Sequence, residues 1–151
     1  MTENAPYRLH DSLGYHLSLA ARLQEKRLDD GLRALGLTRT TWCILLAVGN
    51  EGLSQPSDIA DFVGIDRTAT SRALRSMEAD GLIDRCSGEG DGRTRAVLLT
   101  DLGRAKIPQA SKVARGNGEI LAERLSPDEV DALKSLLRKL QAGEDLPLPK
   151  L

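Results

Sequence analysis

The sequence is poor in aromatic side chains, cysteine and histidine. Its 151 residues include one Trp, one Phe and two Tyr, so a core must be built from Leu, Ala, Val and Ile. This composition favours helix-on-helix packing over a β-sandwich, and the length is near that of a single domain. The formal net charge is only −1, so a nucleic-acid site would require its positive charge to be local.

Long apolar runs and targeting segments are missing as well. No stretch approaches the roughly 18 apolar residues that a membrane-spanning helix needs, and the N-terminus has no basic region followed by an apolar segment. Cys43 and Cys86 lie within apolar stretches, where reduced thiols are the simplest interpretation. We therefore expect a cytoplasmic protein that is neither exported nor membrane-bound.

Residues that usually carry catalysis are few. His10 and His16 lie near the N-terminus, and no cysteine stands at metal-ligand spacing. Gly88, Gly90 and Gly92 alternate within a hairpin and do not open a helix, which is unlike a phosphate-binding loop. The sequence predicts no enzyme activity, no metal site and no cofactor.

One segment, residues 66–77, combines hydroxyl and guanidinium groups along one helical face. At 100° per residue, that face carries Thr68, Ser71, Arg72 and Arg75. Asp66 can cap the start of this helix, and Gly81 can close its end with positive φ. No acid stands between Arg67 and Met77. The face suits the anionic, hydrogen-bonding surface of a DNA groove, although an ordinary solvated helix face would show the same residues.

The residues before this segment predict a helix-turn-helix. Pro56 suits the first position of a short helix, and the small Ala60 stands fifth, where two helices would touch. Gly64 stands ninth, where a tight turn needs positive φ. Residues 66–77 then form the second helix, which in such a motif enters the major groove.

The residues after it predict a hairpin. Residues 82–86 and 94–99 are strand candidates, and the glycine-rich turn 87–92 joins them. Arg93 and Arg95 lie beside this turn, where a guanidinium on a thin loop can enter a minor groove. The alternative is a flexible surface hairpin whose arginines are incidental.

Helices are predicted on both sides of this region. A long helix covers about 11–35, and Thr38 or Thr40 caps an apolar, hence buried, helix over 41–48. Residues 53–54 are a candidate for a minimal strand. The long helix has more apolar surface than the few residues before it can cover.

The C-terminal third predicts two more helices. Thr100 caps the first, which Pro108 should bend and which residues 116–118 should kink or open. Ser126 starts the second with a capping box.

Several short motifs occur together between residues 37 and 107. They are Leu37-Thr38 with Trp42, Gln55-Pro56-Ser57-Asp58-Ile59-Ala60, Asp66-Arg67-Thr68-Ala69-Thr70-Ser71-Arg72, Met77-Glu78-Ala79-Asp80-Gly81-Leu82-Ile83, Asp91-Gly92-Arg93 and Leu99-Thr100-Asp101-Leu102-Gly103. The last two form a wing signature, Asp-x-Arg followed by Leu-Thr-x-x-Gly. In this combination the chain resembles the MarR (multiple antibiotic resistance regulator) family of bacterial winged helix-turn-helix transcription regulators.

The resemblance implies a mainly α fold with a small β-hairpin wing. It divides the chain into an N-terminal arm and dimerisation helix (1–36), a winged helix-turn-helix DNA-binding region (37–104) and C-terminal dimerisation helices (105–151). These parts would form one intertwined domain of an obligate homodimer. The partner would then cover the apolar surface that the long helix leaves free.

The resemblance also assigns roles to single residues. The residues expected to contact DNA are Pro56, Ser57, Arg67, Thr68, Ser71, Arg72, Arg75, Arg93 and Arg95. Those on the second helix would read the major groove, Arg93 would enter the minor groove, and Asp91 would orient this wing arginine. Pro56 and Ser57 begin a helix whose free amides could hold a phosphate.

The implied function is a repressor that binds a palindromic operator and is released by a small aromatic or phenolic effector. Trp42, His16 and Arg22 are the candidates for an effector pocket, whereas Cys43 and Cys86 are expected to be inert, buried thiols. The alternative is a winged-helix protein-interaction module without specific DNA binding.

Charge limits the expected strength of DNA binding. Between residues 54 and 104 the sequence has seven arginines and nine acids. We therefore expect few phosphate contacts and a modest dependence of affinity on salt.

Overall fold

The computed structural model describes residues 5–87 and 95–144, apart from the side chains of Ser87 and Arg95. Six helices and one hairpin follow each other in this part of the chain. Their bounds are α1 Leu13–Arg33, α2 Arg39–Gly49, α3 Pro56–Val63, α4 Arg67–Ala79, β1 Ile83–Ser87, β2 Arg95–Leu99, α5 Asp101–Ala122 and α6 Pro127–Gln141. The predicted mainly α fold with a hairpin is therefore confirmed.

The predicted helix starts are formed by side-chain caps. Thr38, and not Thr40, caps α2, and its hydroxyl accepts from the backbone N–H of Thr41 at 3.1 Å. The Thr100 hydroxyl accepts from the N–H of Gly103 at 3.0 Å to begin α5. Ser126 begins α6 within a capping box. Each cap satisfies a first-turn amide that has no partner inside its helix.

One hydrophobic core joins the hairpin to five of the helices. Its members include Leu32 of α1, Ile44 of α2 and Val97 of β2, which are all fully buried, and Ala110 of α5. We call the described residues within 28–87 and 95–113, which supply this core, the winged lobe. Residues 13–27 and 114–141 form the helical arm, in which α6 has no buried residue.

Gly103 allows α5 to pack directly on the end of the recognition region. A Cβ at this position would overlap the backbone carbonyl of Leu82, and a Cβ at Gly49 would overlap the side chain of Ile107. Glycine at these two positions therefore sets how closely α5 approaches the rest of the lobe.

Two sequence predictions were wrong. Residues 53–54 do not form a strand, although the carbonyl of Ser54 accepts from the N–H of Val97 at 2.8 Å. Gly52 with φ of 70° precedes this stretch and Pro56 follows it, so there is no room for a ladder. Residues 116–118 do not open α5, which is one helix from Asp101 to Ala122, and within it the Asn117 side-chain amide donates to the backbone carbonyl of Gln24 at 3.0 Å.

Two other observations concern the described ranges as a whole. None of their helices is long and apolar enough to cross a membrane. Within the same ranges, no group of three or more His, Cys, Asp or Glu side chains could hold a metal ion.

Candidate nucleic-acid interface

Helices α3 and α4 form the predicted helix-turn-helix. Gly64 ends α3 in the left-handed region with φ of 77°, and the Asp66 carboxylate accepts from the N–H of Ala69 at 2.6 Å to start α4. Ala60 is 2% exposed, which is the close approach that its small side chain predicts. Gly81 has φ of 74° just after α4. These local signals fix the direction in which α4 leaves the lobe.

The two faces of α4 are those expected from its sequence. Thr70, Leu74 and Met77 are buried, and the Thr70 hydroxyl donates to the backbone carbonyl of Asp66 at 2.9 Å. The outer face is solvent-accessible, and it carries Thr68, Ser71, Arg72 and Arg75, of which Ser71 is half-buried. This face has the donors and acceptors that read base edges and phosphates.

The arginine side chains of α4 are not paired with acidic side chains in the described part of the chain. Arg67, Arg72 and Arg75 form no ion pair with any residue of the described ranges. The nearest acid on the same helix is Glu78, which binds the Arg85 guanidinium at 2.8 Å. Two of the acids next to these arginines in sequence are already engaged, because Glu78 pairs with Arg85 and Asp66 caps α4.

The start of α3 is a weaker candidate for a phosphate contact. Gln55 occupies the cap position without a side-chain hydrogen bond, so the first-turn amides near Pro56 and Ser57 are free to bind an anion. Asp58 is exposed in the same turn, and its charge opposes a phosphate there. We expect a smaller contribution from this site than from α4.

The predicted wing contacts cannot be placed. Asp91 and Arg93 lie outside the described residues, and Arg95 is described only through its backbone, as the first residue of β2. Their roles stay predictions.

The candidate effector residues are scattered within one chain. Trp42 is half-buried against the core, and its indole nitrogen is buried without a hydrogen-bond partner among the described residues. His16 and Arg22 are exposed on α1. His16 stands twelve residues, or about 18 Å along the helix, before Leu28, the first α1 residue in the core. Their grouping into a pocket stays a prediction.

The expectation of two buried thiols was wrong for Cys86. Cys43 is half-buried, and burial raises the pKa of its thiol, an effect that the Arg39 charge partly offsets. Cys86 is exposed because it takes an outward position on β1. Side chains alternate between the two faces of a strand, so Cys86 lies on the face opposite to that of the buried Ile83. This alternation could have predicted that Cys86 is exposed.

Sequence reasoning missed the pairing of Glu78 with Arg85. Both Nε and Nη2 of Arg85 donate to Oε2 of Glu78, at 3.0 and 2.8 Å. Arg85 stands two residues after the buried Ile83, so the same strand alternation predicts an inward arginine that needs an acid.

Known proteins share this arrangement. Residues 35–94 match the sequence profile of the MarR family. The transcriptional repressor CouR bound to a 23-mer DNA duplex is 28% identical with a TM-score of 0.79, over 90% of this chain and 99% of that one. A mutant MarR from E. coli complexed with operator DNA is 25% identical with a TM-score of 0.77, over 85% of this chain and 92% of that one.

The same fold extends to a more distant sequence. BpsR of Bordetella bronchiseptica, whose DNA binding is regulated by 6-hydroxynicotinic acid, is 23% identical with a TM-score of 0.82, over 93% of this chain and 100% of that one. The family match, the two similar sequences above and the helix-turn-helix with its hairpin agree with one another. This chain is thus similar to MarR-family proteins in sequence over residues 35–94 and in fold over most of its length.

Proposed function

We propose that this protein is a DNA-binding transcription regulator that acts in the cytoplasm. It is a repressor that occupies a palindromic operator as a homodimer and is released by a small-molecule effector. The function requires no catalytic step. The observation that carries the proposal is the outer face of α4, where hydroxyl groups and uncommitted guanidinium groups lie together.

The similar structures support this reading. CouR and E. coli MarR were both solved with DNA, and this chain matches each of them over most of its length. On this basis α4 enters the major groove, with Thr68, Ser71, Arg72 and Arg75 facing the bases and the backbone. The wing residues Arg93 and Arg95 extend the contact to the flanking minor groove.

Exposed leucines on the helical arm support the homodimer. On α6, Leu133, Leu136 and Leu140 are 46%, 58% and 50% exposed. An open groove of about 490 Å³ lies between α5 and α6, and four of its ten lining residues are leucines, including Leu121 and Leu137. Exposed apolar surface of this extent is typical of an interface, and a second copy of the arm would cover it.

A DNA titration tests the proposal on α4. The probe is the duplex that the parent protein selects from a random-sequence pool, and fluorescence anisotropy gives its dissociation constant. We expect Arg72→Ala to weaken binding by about 1–3 kcal/mol, which is roughly 5- to 150-fold, because a specific base contact is lost. Arg33→Ala is the matched control, since Arg33 is an exposed arginine on α1 that pairs with Asp30.

Two results would contradict the proposal. One is a parent protein that enriches no sequence from the pool, which is the outcome expected of a protein-interaction module. The other is equal affinity of Arg72→Ala, Arg33→Ala and the parent for the selected duplex.

We also propose that the effector is a small aromatic acid or phenol bound near Trp42. The indole N–H of Trp42, which has no hydrogen-bond partner among the described residues, is a donor for such a ligand. His16 and Arg22 would reach it only from the partner subunit.

Trp42 is the single tryptophan of the chain, so its fluorescence reports on this site alone. An aromatic acid that releases DNA should also quench it, and release without any change in fluorescence would place the effector elsewhere.

A further inference from the structure

Arg85 occupies a position that normally belongs to an apolar residue. In the hairpin it faces Val97, and Ile83 two residues earlier faces Leu99. Facing residues of a ladder project to the same side of the sheet, and Val97 and Ile83 are fully buried there. The Arg85 side chain therefore points to the core side of the wing, and it is only 19% exposed.

A guanidinium in that position needs a compensating acid, and the recognition helix supplies it. Glu78 lies one residue before the last residue of α4, and two nitrogens of Arg85 converge on its Oε2 at 2.8 and 3.0 Å. The pair joins the helix that would read the major groove to the strand that carries the wing. Two donors on one acceptor constrain the angle of approach more than a single contact does.

The pair is the second of two connections between α4 and β1. The first is the turn between them, where the N–H of Leu82 donates to the carbonyl of Met77 at 2.9 Å and the Thr100 hydroxyl donates to the carbonyl of Gly81. Arg85 stands three residues, or about 10 Å, beyond Leu82 along the strand. The shared core and the bond from the Val97 N–H to the Ser54 carbonyl already hold the hairpin to the lobe. The ion pair adds a second polar contact to α4 at a distance from the turn, which constrains the angle between the hairpin and α4 more tightly.

We propose that Glu78 and Arg85 are positioning residues, which set the angle between the recognition helix and the wing strands and thereby the discrimination between DNA sequences. The inference rests on the DNA-binding function proposed above. It predicts that either residue matters for specificity, although neither contacts DNA.

The test measures how well the protein discriminates between two DNA sequences, and not its affinity for one of them. The probe is the duplex that the parent protein selects from a random pool, and the reference is a scrambled duplex of the same composition. We expect Glu78→Gln and Arg85→Met each to lower the ratio of the two dissociation constants about tenfold, as for groups within one interaction network. The double variant Glu78→Arg with Arg85→Glu should recover most of the ratio, because it restores an ion pair of reversed polarity.

Opposite charge changes make the test specific. Glu78→Gln raises the net charge by one and Arg85→Met lowers it by one, so charge alone predicts tighter binding of every duplex by the first variant and weaker binding by the second. Asp30→Asn is the matched control, since it also removes one acid of an ion pair, 2.8 Å from Lys26 on the remote helix α1. It should leave the ratio unchanged.

Two outcomes overturn the inference. One is an undiminished ratio of the two dissociation constants in both single variants, with or without the opposite shifts in affinity that charge alone predicts. The other is a double variant whose ratio is no higher than that of the single variants. Arg85→Lys serves if a single variant fails to fold, because it keeps the charge and loses one of the two converging donors. An Arg85→Lys variant with a native melting curve and an undiminished ratio of the two dissociation constants would also contradict the inference. A parent protein that selects no duplex would instead contradict the proposed function.

Discussion

The winged lobe and the helical arm bury their apolar side chains to very different extents. In the lobe, Leu32, Ile44 and Ile59 are fully buried within a single chain. In the arm, Leu13 and Leu136 are 64% and 58% exposed. We therefore expect the lobe to hold its structure within one chain, whereas the arm needs a partner to bury its leucines. On this basis, each chain folds its own winged lobe, and the helical arms join two such lobes.

The largest effect is expected from charges placed in the arm. Leu133→Asp combined with Leu136→Asp should dissociate the proposed homodimer and raise the dissociation constant for a palindromic duplex by about a hundredfold or more, because avidity is lost. Light scattering measures the mass, and anisotropy measures binding. Leu98→Asp is the matched control for the mass measurement only, since Leu98 is 48% exposed but lies on the wing strand and not in the arm.

The same variant shows whether the lobe depends on the arm. Burial raises the pKa of the Cys43 thiol and shields it from a labelling reagent, so in a folded lobe Cys43 should react slowly, whereas the exposed Cys86 should react quickly. Slow labelling of Cys43 should persist in the double leucine variant. Rapid labelling of both thiols would mean that the two regions fold only together.

A smaller effect should separate two glycines of the same helix. Gly103→Ala in the lobe would drive a methyl group into the Leu82 carbonyl and should lower the free energy of unfolding by about 3 kcal/mol. Gly118→Ala in the arm meets nothing within 4 Å in one chain and should raise it by about 0.5–1 kcal/mol, the difference in helix propensity. Urea denaturation monitored by circular dichroism provides both values.

The second glycine also probes the interface. If Gly118→Ala weakened dimerisation and failed to stabilise the protein, the partner chain would have to approach α5 closely at this point. Equal destabilisation by both substitutions would remove the distinction between lobe and arm.

Much of the recognition region could be predicted because its signals are local. Gly64, Asp66 and Gly81 each fix a turn or a cap through their own backbone or a neighbour within a few residues. The amphipathic pattern of α4 likewise depends only on spacing along the chain. Sequence alone was therefore sufficient to place the helix-turn-helix and the outward residues of α4.

The features that were missed depend on contacts distant in sequence. Asn117 donates to the backbone carbonyl of Gln24, 93 residues away, and no local pattern predicts this contact between α5 and α1. Trp42 illustrates a second limit, because the proposed effector pocket would be shared between two chains, and the order of residues in one chain does not show such a grouping. The pairing of Glu78 with Arg85 spans only seven residues, yet it required the strand register to show which way Arg85 points.

Helix α1 spans both regions, so a tilt at one end of the helix displaces its other end. Its 21 residues form one uninterrupted helix, about 31 Å long. Its C-terminal turns are embedded in the lobe through Leu28 and Leu32, and its N-terminal turns lie in the arm. A tilt of about 5° at the arm would move the far end by about 3 Å. In a dimer, such a tilt of both α1 helices would change the spacing of the recognition helices, which must be about 34–36 Å to enter successive major grooves. A ligand that tilts α1 could thus release DNA without touching a single DNA-binding residue.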